Sequence, residues 1–197
     1  MEEEKRRRPR LPSPAMIVAI VALVFAMTGT GMAAKLVSGD GLIKKNSLSG
    51  DRLKAKSFPG ARVYSTEDQD IPNGVATPLE FNAVNYNNGG VFSRAKPTVL
   101  TAPRAGEYLV TASILWASNP TGYRELVIRD NDFRMIASAS CRASSTDATF
   151  VQSVATTYRL RKGSYVSAFA YQTSGATLSS RHAEHSLPTL SLDWIAP

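Results

Sequence analysis

From Ala61 onward, short apolar runs alternate with clusters of Gly, Pro, Asn and Asp, and no window supports a long amphipathic helix. The clearest run is GEYLVTASILWAS, which begins at Gly106. Tyr108, Val110, Ala112, Ile114 and Trp116 fall on one face, and Leu109, Thr111, Ser113 and Leu115 on the other. A two-residue period with one strongly apolar face predicts a strand laid against a core. In YRELVIRDNDFRMIASAS, Tyr123, Glu125, Val127 and Arg129 alternate with Arg124, Leu126 and Ile128. The chain is expected to reverse at Asp130, Asn131 and Asp132, whose short side chains bond to nearby backbone. ATFVQSVATTYRLRKGSYVSAFAYQTSG predicts two long strands about an RKG turn, and TLSLDWIAP puts Leu190, Leu192 and Trp194 on one face of a last strand. The predicted strands lie near 62–65, 78–81, 91–93, 98–102, 107–117, 123–129, 133–139, 148–160, 164–172, 177–181 and 189–195. So many short strands in one stretch indicate an all-β sandwich or jelly roll.

The pattern upstream is different. Residues 15–27 are continuously apolar, and Thr28, Gly29, Thr30 and Gly31 then dilute the run. Five basic residues precede it (Lys5, Arg6, Arg7, Arg8 and Arg10), and Gly31 and Ala33 stand spaced like a signal-peptidase site. Positive flank, apolar centre and small-x-small end are the parts of an export signal. Residues 1–34 are therefore expected to be a signal peptide cleaved after Ala33 or an uncleaved N-terminal membrane anchor, with membrane contact through residues 15–34 in the second case. Either way the basic flank stays inside and the rest is exported.

Residues 35–60 form a basic stalk with an internal echo. Ser38, Gly39, Asp40 and Leu42 recur eleven positions later as Ser49, Gly50, Asp51 and Leu53, with Val37 matched by Leu48 and Lys45 by Lys56. Two such copies bury no core, so they predict an extended spacer; chance similarity in a low-complexity linker is the alternative. The stretch KNSLSGDRLKAKS resembles the short tandem repeats that follow the signal segment in exported proteins of high-GC Gram-positive bacteria.

Charge refines this picture. The formal net charge of +7 divides into +2 for residues 1–34, +4 for 35–60 and +1 for 61–197. A nucleic-acid binder concentrates Lys and Arg on its folded face, so a nucleic-acid partner is not expected. A single cysteine, Cys141, excludes an intramolecular disulfide and every multi-cysteine zinc pattern, leaving a small strand residue or, after export, an intermolecular bridge.

The chemistry-bearing residues make no recognisable constellation. The only histidines, His182 and His185, lie in RHAEH, with Glu184 between them and Asp193 beyond; no G-x-S-x-G elbow accompanies them, and H-x-x-H lacks the helical H-E-x-x-H context. Residues 130–132 lack the distal Glu of a calcium loop. Asp68 with Asp70, and Glu80 with Glu107, give no separation on which to argue glycosidase chemistry. NYNNGG is no phosphate loop and predicts a tight turn. No catalytic, cofactor-binding or metal-binding residue is therefore assigned, no cofactor is expected, and the chain is not expected to be an enzyme.

Three segments carry a family likeness. ATPLEFNAVNYNNGGVFS supplies Phe81, Asn88, Gly89, Gly90 and Phe92; LTAPRAGEYLVTASI supplies Ala102, Pro103, Gly106 and Tyr108; YRLRKGSYVSAF supplies Leu160 and Gly163. In order and spacing they resemble the globular head of the complement first component and its relatives, the tumour necrosis factor ligands. Ser164 in place of the usual Asp, and LSLDWIAP in place of the Phe-Ser-Gly-Phe ending, make it resemble a remote bacterial member. The resemblance implies that residues 61–197 form a jelly-roll sandwich of about ten strands, assembling as a homotrimer. It also implies macromolecular recognition rather than catalysis.

Tyr108, Tyr158, Phe169, Tyr171 and Trp194 are expected in the core or the trimer interface. An unknown protein or glycan partner is expected at rim loops 85–90, 117–122, 130–132 and 172–185, because loops vary without rebuilding sheets. The rival functions are a carbohydrate-binding jelly roll and a hydrolase using a loop histidine.

Overall fold

A computed structural model describes residues 13–36, 58–143, 149–183 and 187–197. The chain divides into two compact units, Met1–Leu53 and Lys54–Pro197. The first contains helix α1 (Pro14–Leu36). The LPSP spacer starts it: Ser13 accepts the Met16 N–H through its hydroxyl at 3.3 Å, and Pro14 occupies the first helical position, where a missing N–H costs nothing. Its apolar residues are spread around the axis rather than gathered on one face. Among the described residues no helix is long and apolar enough to cross a membrane. The undiluted run of residues 15–27 spans about 20 Å of helix, against roughly 30 Å of hydrocarbon. The stalk repeat lies outside the described residues.

The second unit is a two-sheet sandwich. Its strands are β1 (Gly60–Tyr64), β2 (Gln69–Ile71), β3 (Thr77–Pro78), β4 (Ala83–Asn88), β5 (Leu100–Thr101), β6 (Gly106–Trp116), β7 (Tyr123–Asp130), β8 (Met135–Arg142), β9 (Phe150–Leu160), β10 (Tyr165–Gln172), β11 (Leu178–Arg181) and β12 (Thr189–Ala196). In the first sheet β6 is central: β9 pairs along one edge from Gly106↔Leu160 to Trp116↔Phe150, and β12, then β1 and β4, lie beyond the other. β11 and β2 continue that second edge where β12 ends. In the second sheet β10 carries β7 and β8 on one side and the short β3 and β5 on the other. Every pairing is antiparallel and most neighbours are distant in sequence, which is the jelly-roll sandwich expected.

The alternation read in β6 is the one observed: Tyr108, Val110, Ala112, Ile114 and Trp116 are all fully buried. They meet Leu126 and Ile128 of β7, Val166, Ala168 and Ala170 of β10, and Leu190 and Leu192 of β12 in one core. Two of its polar side chains bond each other and bridge the sheets. The Trp116 indole N–H donates to Gln152 Oε1 at 2.8 Å, and the Gln152 amide donates to the Ala139 carbonyl at 2.8 Å, tying β9 of one sheet to β8 of the other. An unpaired indole at that depth would cost about 1–3 kcal/mol.

Several expectations are corrected. Residues 85–90 are not a rim loop: most belong to β4, which pairs with β1 at a sheet edge, and only Gly89 and Gly90 turn. Asn-rich stretches are depleted in strands, so local propensity hid this one. β2 was not anticipated, and the strands expected near 78–81 and 91–93 reduce to β3 and to the single bridge Phe92↔Leu100. Phe169 and Tyr171 are not core residues. They stand on the outer face of the second sheet, because the small Val166, Ala168 and Ala170 take the inner one. Tyr158 and Trp194 pack against the core from its margin, and the Trp194 ring lies 5.6 Å from Phe58 and 3.7 Å from the Arg104 guanidinium.

Candidate binding surface

The loops at the two ends of the sandwich differ. At one end, loops 72–76, 117–122 and 173–177 are bonded to each other. The Gly74 N–H donates to the Gln172 carbonyl, the Gly175 N–H to Asn73 Oδ1 and the Thr121 hydroxyl to the Ser174 carbonyl, all within 2.8 to 3.0 Å. Beneath them Arg124 is fully buried. Its guanidinium donates to the carbonyls of Thr121, Tyr123 and Asn119 at 3.0 to 3.3 Å, while Nε has no partner among the described residues. Burial pushes this arginine's pKa down, and the same burial pushes the nearby Cys141 thiol up, against the pull of Arg124. Cys141 is therefore a poor thiolate. Much of the expected loop 172–185 is interior: Gln172 and Ser180 are fully buried, and residues 178–181 form β11.

At the other end, residues 130–134 make the tight reversal between β7 and β8. Asp130, only 2% exposed, organises it: its carboxylate accepts from the Asp132 and Arg134 backbone N–H groups at 3.0 Å, from Arg134 Nε at 2.9 Å and from the Tyr158 hydroxyl at 3.1 Å. Burial works to raise its pKa, but the Arg134 and Tyr158 bonds prevail and hold it below the usual carboxylate value. Phe133 sits at the tip with φ of 60° and 67% of its surface exposed, and Met135 beside it is 55% exposed. A bulky residue in the left-handed region is strained, and strain of this kind persists where the surroundings enforce it.

The outer face of the first sheet is a different surface. Across β12, β6 and β9 it carries Ser191, Thr111 and Ala155 in one row and Thr189, Ser113 and Ser153 in the next, followed by Leu115 opposite Val151, with Ser191 and Thr189 already buried and the β9 residues exposed. None of these side chains is charged. Thr111 bonds Ser191 at 2.7 Å and Ser113 bonds Ser153 at 2.8 Å, hydroxyl to hydroxyl, so four of these hydroxyls pair within the sheet. A row further along, the Tyr86 hydroxyl donates to Asp193 at 2.8 Å. Burial pushes the pKa of Asp193 up; burial and then the Asp193 carboxylate push Tyr86 up to about 12.

Among the described residues the histidine chemistry does not assemble. His182 Nδ1 lies 2.6 Å from Asp68 Oδ1, both side chains about half exposed, and no serine hydroxyl bonds the ring among the described residues. The His182 backbone N–H also donates to Asp68 and is the chief cause of that carboxyl's lowered pKa. Among the described residues no three His, Cys, Asp or Glu side chains group as metal ligands. His185 and Glu184 lie outside those residues.

No family model matches the chain, and no curated protein does. Solved structures do. A crystal structure of murine APRIL at pH 5.0 aligns with a TM-score of 0.54 at 14% identity, over 70% of this chain and 99% of that one. Eiger TNF from S. frugiperda aligns with a TM-score of 0.54 at 15% identity, over 71% of this chain and 93% of that one. The fold is the jelly roll of the tumour necrosis factor ligands. The globular domain of zebrafish complement 1qA protein aligns at a TM-score of 0.49 and 18% identity, over 70% and 96% of the two chains. In this jelly roll the residues singled out beforehand scatter: Asp130 and Asp132 share one turn, whereas His182 stands exposed beside Asp68. Phe133, Arg134 and Arg161 were not anticipated. The DND turn pointed at their neighbourhood, but nothing local marks a phenylalanine for the left-handed region.

Proposed function

We propose that this chain is an exported, non-catalytic binding module that assembles as a homotrimer and meets a protein partner through the β7–β8 turn. The observation that carries the reading is Phe133. A strained, two-thirds-exposed aromatic at the tip of a turn braced by a buried carboxylate costs stability and contributes little packing at home. Aromatic anchors presented on rigid supports are the side chains that dominate protein interfaces. The likeness to solved tumour necrosis factor jelly rolls supports a binding module, and the basic head, apolar run and Gly31-x-Ala33 ending support export.

Assembly is favoured by a second observation. On the uncharged face of β6, β9 and β12 four hydroxyls are paired with one another, so covering it forfeits fewer bonds to water, and interface centres are depleted of charge in the same way. A photo-crosslinking residue in place of Phe133 is expected to yield a heterologous adduct on native cells, and solution mass is expected to give three copies, falling to one in Ala155→Arg. Adducts only between copies of this chain would refute the partner site. A monomeric parent chain would refute the trimer.

A further inference from the structure

A polar cavity of about 400 Å³ lies between the β7–β8 turn and the β9–β10 turn, lined on one side by Asn131, Asp132 and Arg134 and on the other by Tyr158, Arg161 and Ser164. Two guanidiniums, one from each turn, border it. Arg134 is fixed in place: Nε and Nη2 are held by the buried Asp130 at 2.9 and 2.8 Å, and Nη2 also meets Asp132 at 2.9 Å. Its Nη1 makes no bond among the described residues. Arg161, opposite, has no ion pair among them. Arg159 borders the cavity too, but its guanidinium goes to the Pro197 carbonyl at 3.3 Å and to Glu107 at 3.6 Å. Asp130 accepts four hydrogen bonds, one of them from the Tyr158 hydroxyl, so its charge is committed to orienting Arg134.

We propose that this cavity binds a carboxylate-bearing sugar, with the carboxylate between Arg134 and Arg161. Guanidinium groups bind planar carboxylates through paired N–H donors, and an arginine already braced by a buried acid loses less freedom on binding. The rest of the lining decides the class of molecule. A bare inorganic anion requires donors alone, whereas this cavity interleaves its guanidiniums with the Asn131 amide and the Ser164 and Tyr158 hydroxyls, which can accept as well as donate. Such a mixture suits ring hydroxyls that both give and accept bonds. The volume lies within the range of small-molecule sites. Asp132, 59% exposed, bonds Arg134 Nη2 and is the group the incoming carboxylate displaces. Phe133 itself does not line the cavity, although its neighbours Asp132 and Arg134 do, so the two sites share one turn.

The test is a calorimetric titration of the full-length chain with D-glucuronate, D-glucose and inorganic sulfate in turn. Glucuronate is expected to bind saturably, glucose not at all and sulfate more weakly than glucuronate. Arg161→Gln, an exposed surface change, is expected to lower glucuronate affinity by about tenfold. Asp132→Asn removes the competing carboxylate and is expected to raise it, while Arg159→Gln leaves it unchanged. A circular dichroism spectrum matching the parent shows that each variant is folded. Equal binding of glucose and glucuronate, an Arg161→Gln variant that binds as well as the parent, or no saturable glucuronate binding would each overturn the assignment.

Discussion

Phe133 allows a prediction whose sign runs against habit. In an ordinary helix or strand, alanine is more stable than glycine by about 0.5–1 kcal/mol, because glycine loses more backbone freedom on folding. At φ of 60° the order should invert. Any Cβ costs roughly 1–2 kcal/mol in the left-handed region, and alanine recovers only about 0.4–1 kcal/mol through the unfolded chain. Phe133→Gly should therefore be the more stable of the two variants by about 1 kcal/mol. The comparison cancels the lost ring, since both variants remove it and only a third of the side-chain surface was covered. The assay is urea unfolding with equal slopes required, so that a shift in midpoint reports stability alone; in a domain of this size the difference corresponds to roughly 4 °C in Tm. An alanine variant as stable as the glycine variant, or more so, would show that the turn relaxes at no cost, and the inference of a strained presentation would fail.

Two further outcomes follow from the geometry. At Gly106, φ is 149° and an added Cβ would collide with the Trp194 indole nitrogen and the Ala196 carbonyl, so Gly106→Ala should destabilise the sandwich by more than about 2 kcal/mol in the same urea assay. Asp130 has a folded pKa below its unfolded value near 3.9, so its contribution is complete above about pH 4 and is lost as pH falls from there through the folded value; acid unfolding of Asp130→Asn should show a shallower dependence across that window than the parent.

Much of the architecture was legible because burial and period coincide. In β6 the apolar face is the buried face, and in β12 Leu190 and Leu192 enter the core as their alternation indicates. Where the two diverge, the reading failed. β10 has aromatics on one face and Val166, Ala168 and Ala170 on the other; period two says that the faces differ but not which one the opposing sheet will cover. The strand β4 escaped notice because NYNN has poor intrinsic strand propensity and is held by its pairing with β1.

The chain by itself determined an all-β sandwich, the polar reversals at DND and RKG and the concentration of basic charge before Ala61, since each depends on neighbours within a few residues. Only the tertiary structure decided which residues share a surface. Arg134 and Arg161 come from different hairpins, Thr111 and Ser191 from strands eighty residues apart, and Arg124 is a charged residue inside a core whose local pattern marks only an alternation. Proximity of that kind is set by sheet pairing and by which faces exclude water, and both are properties of the assembled sandwich rather than of any segment within it.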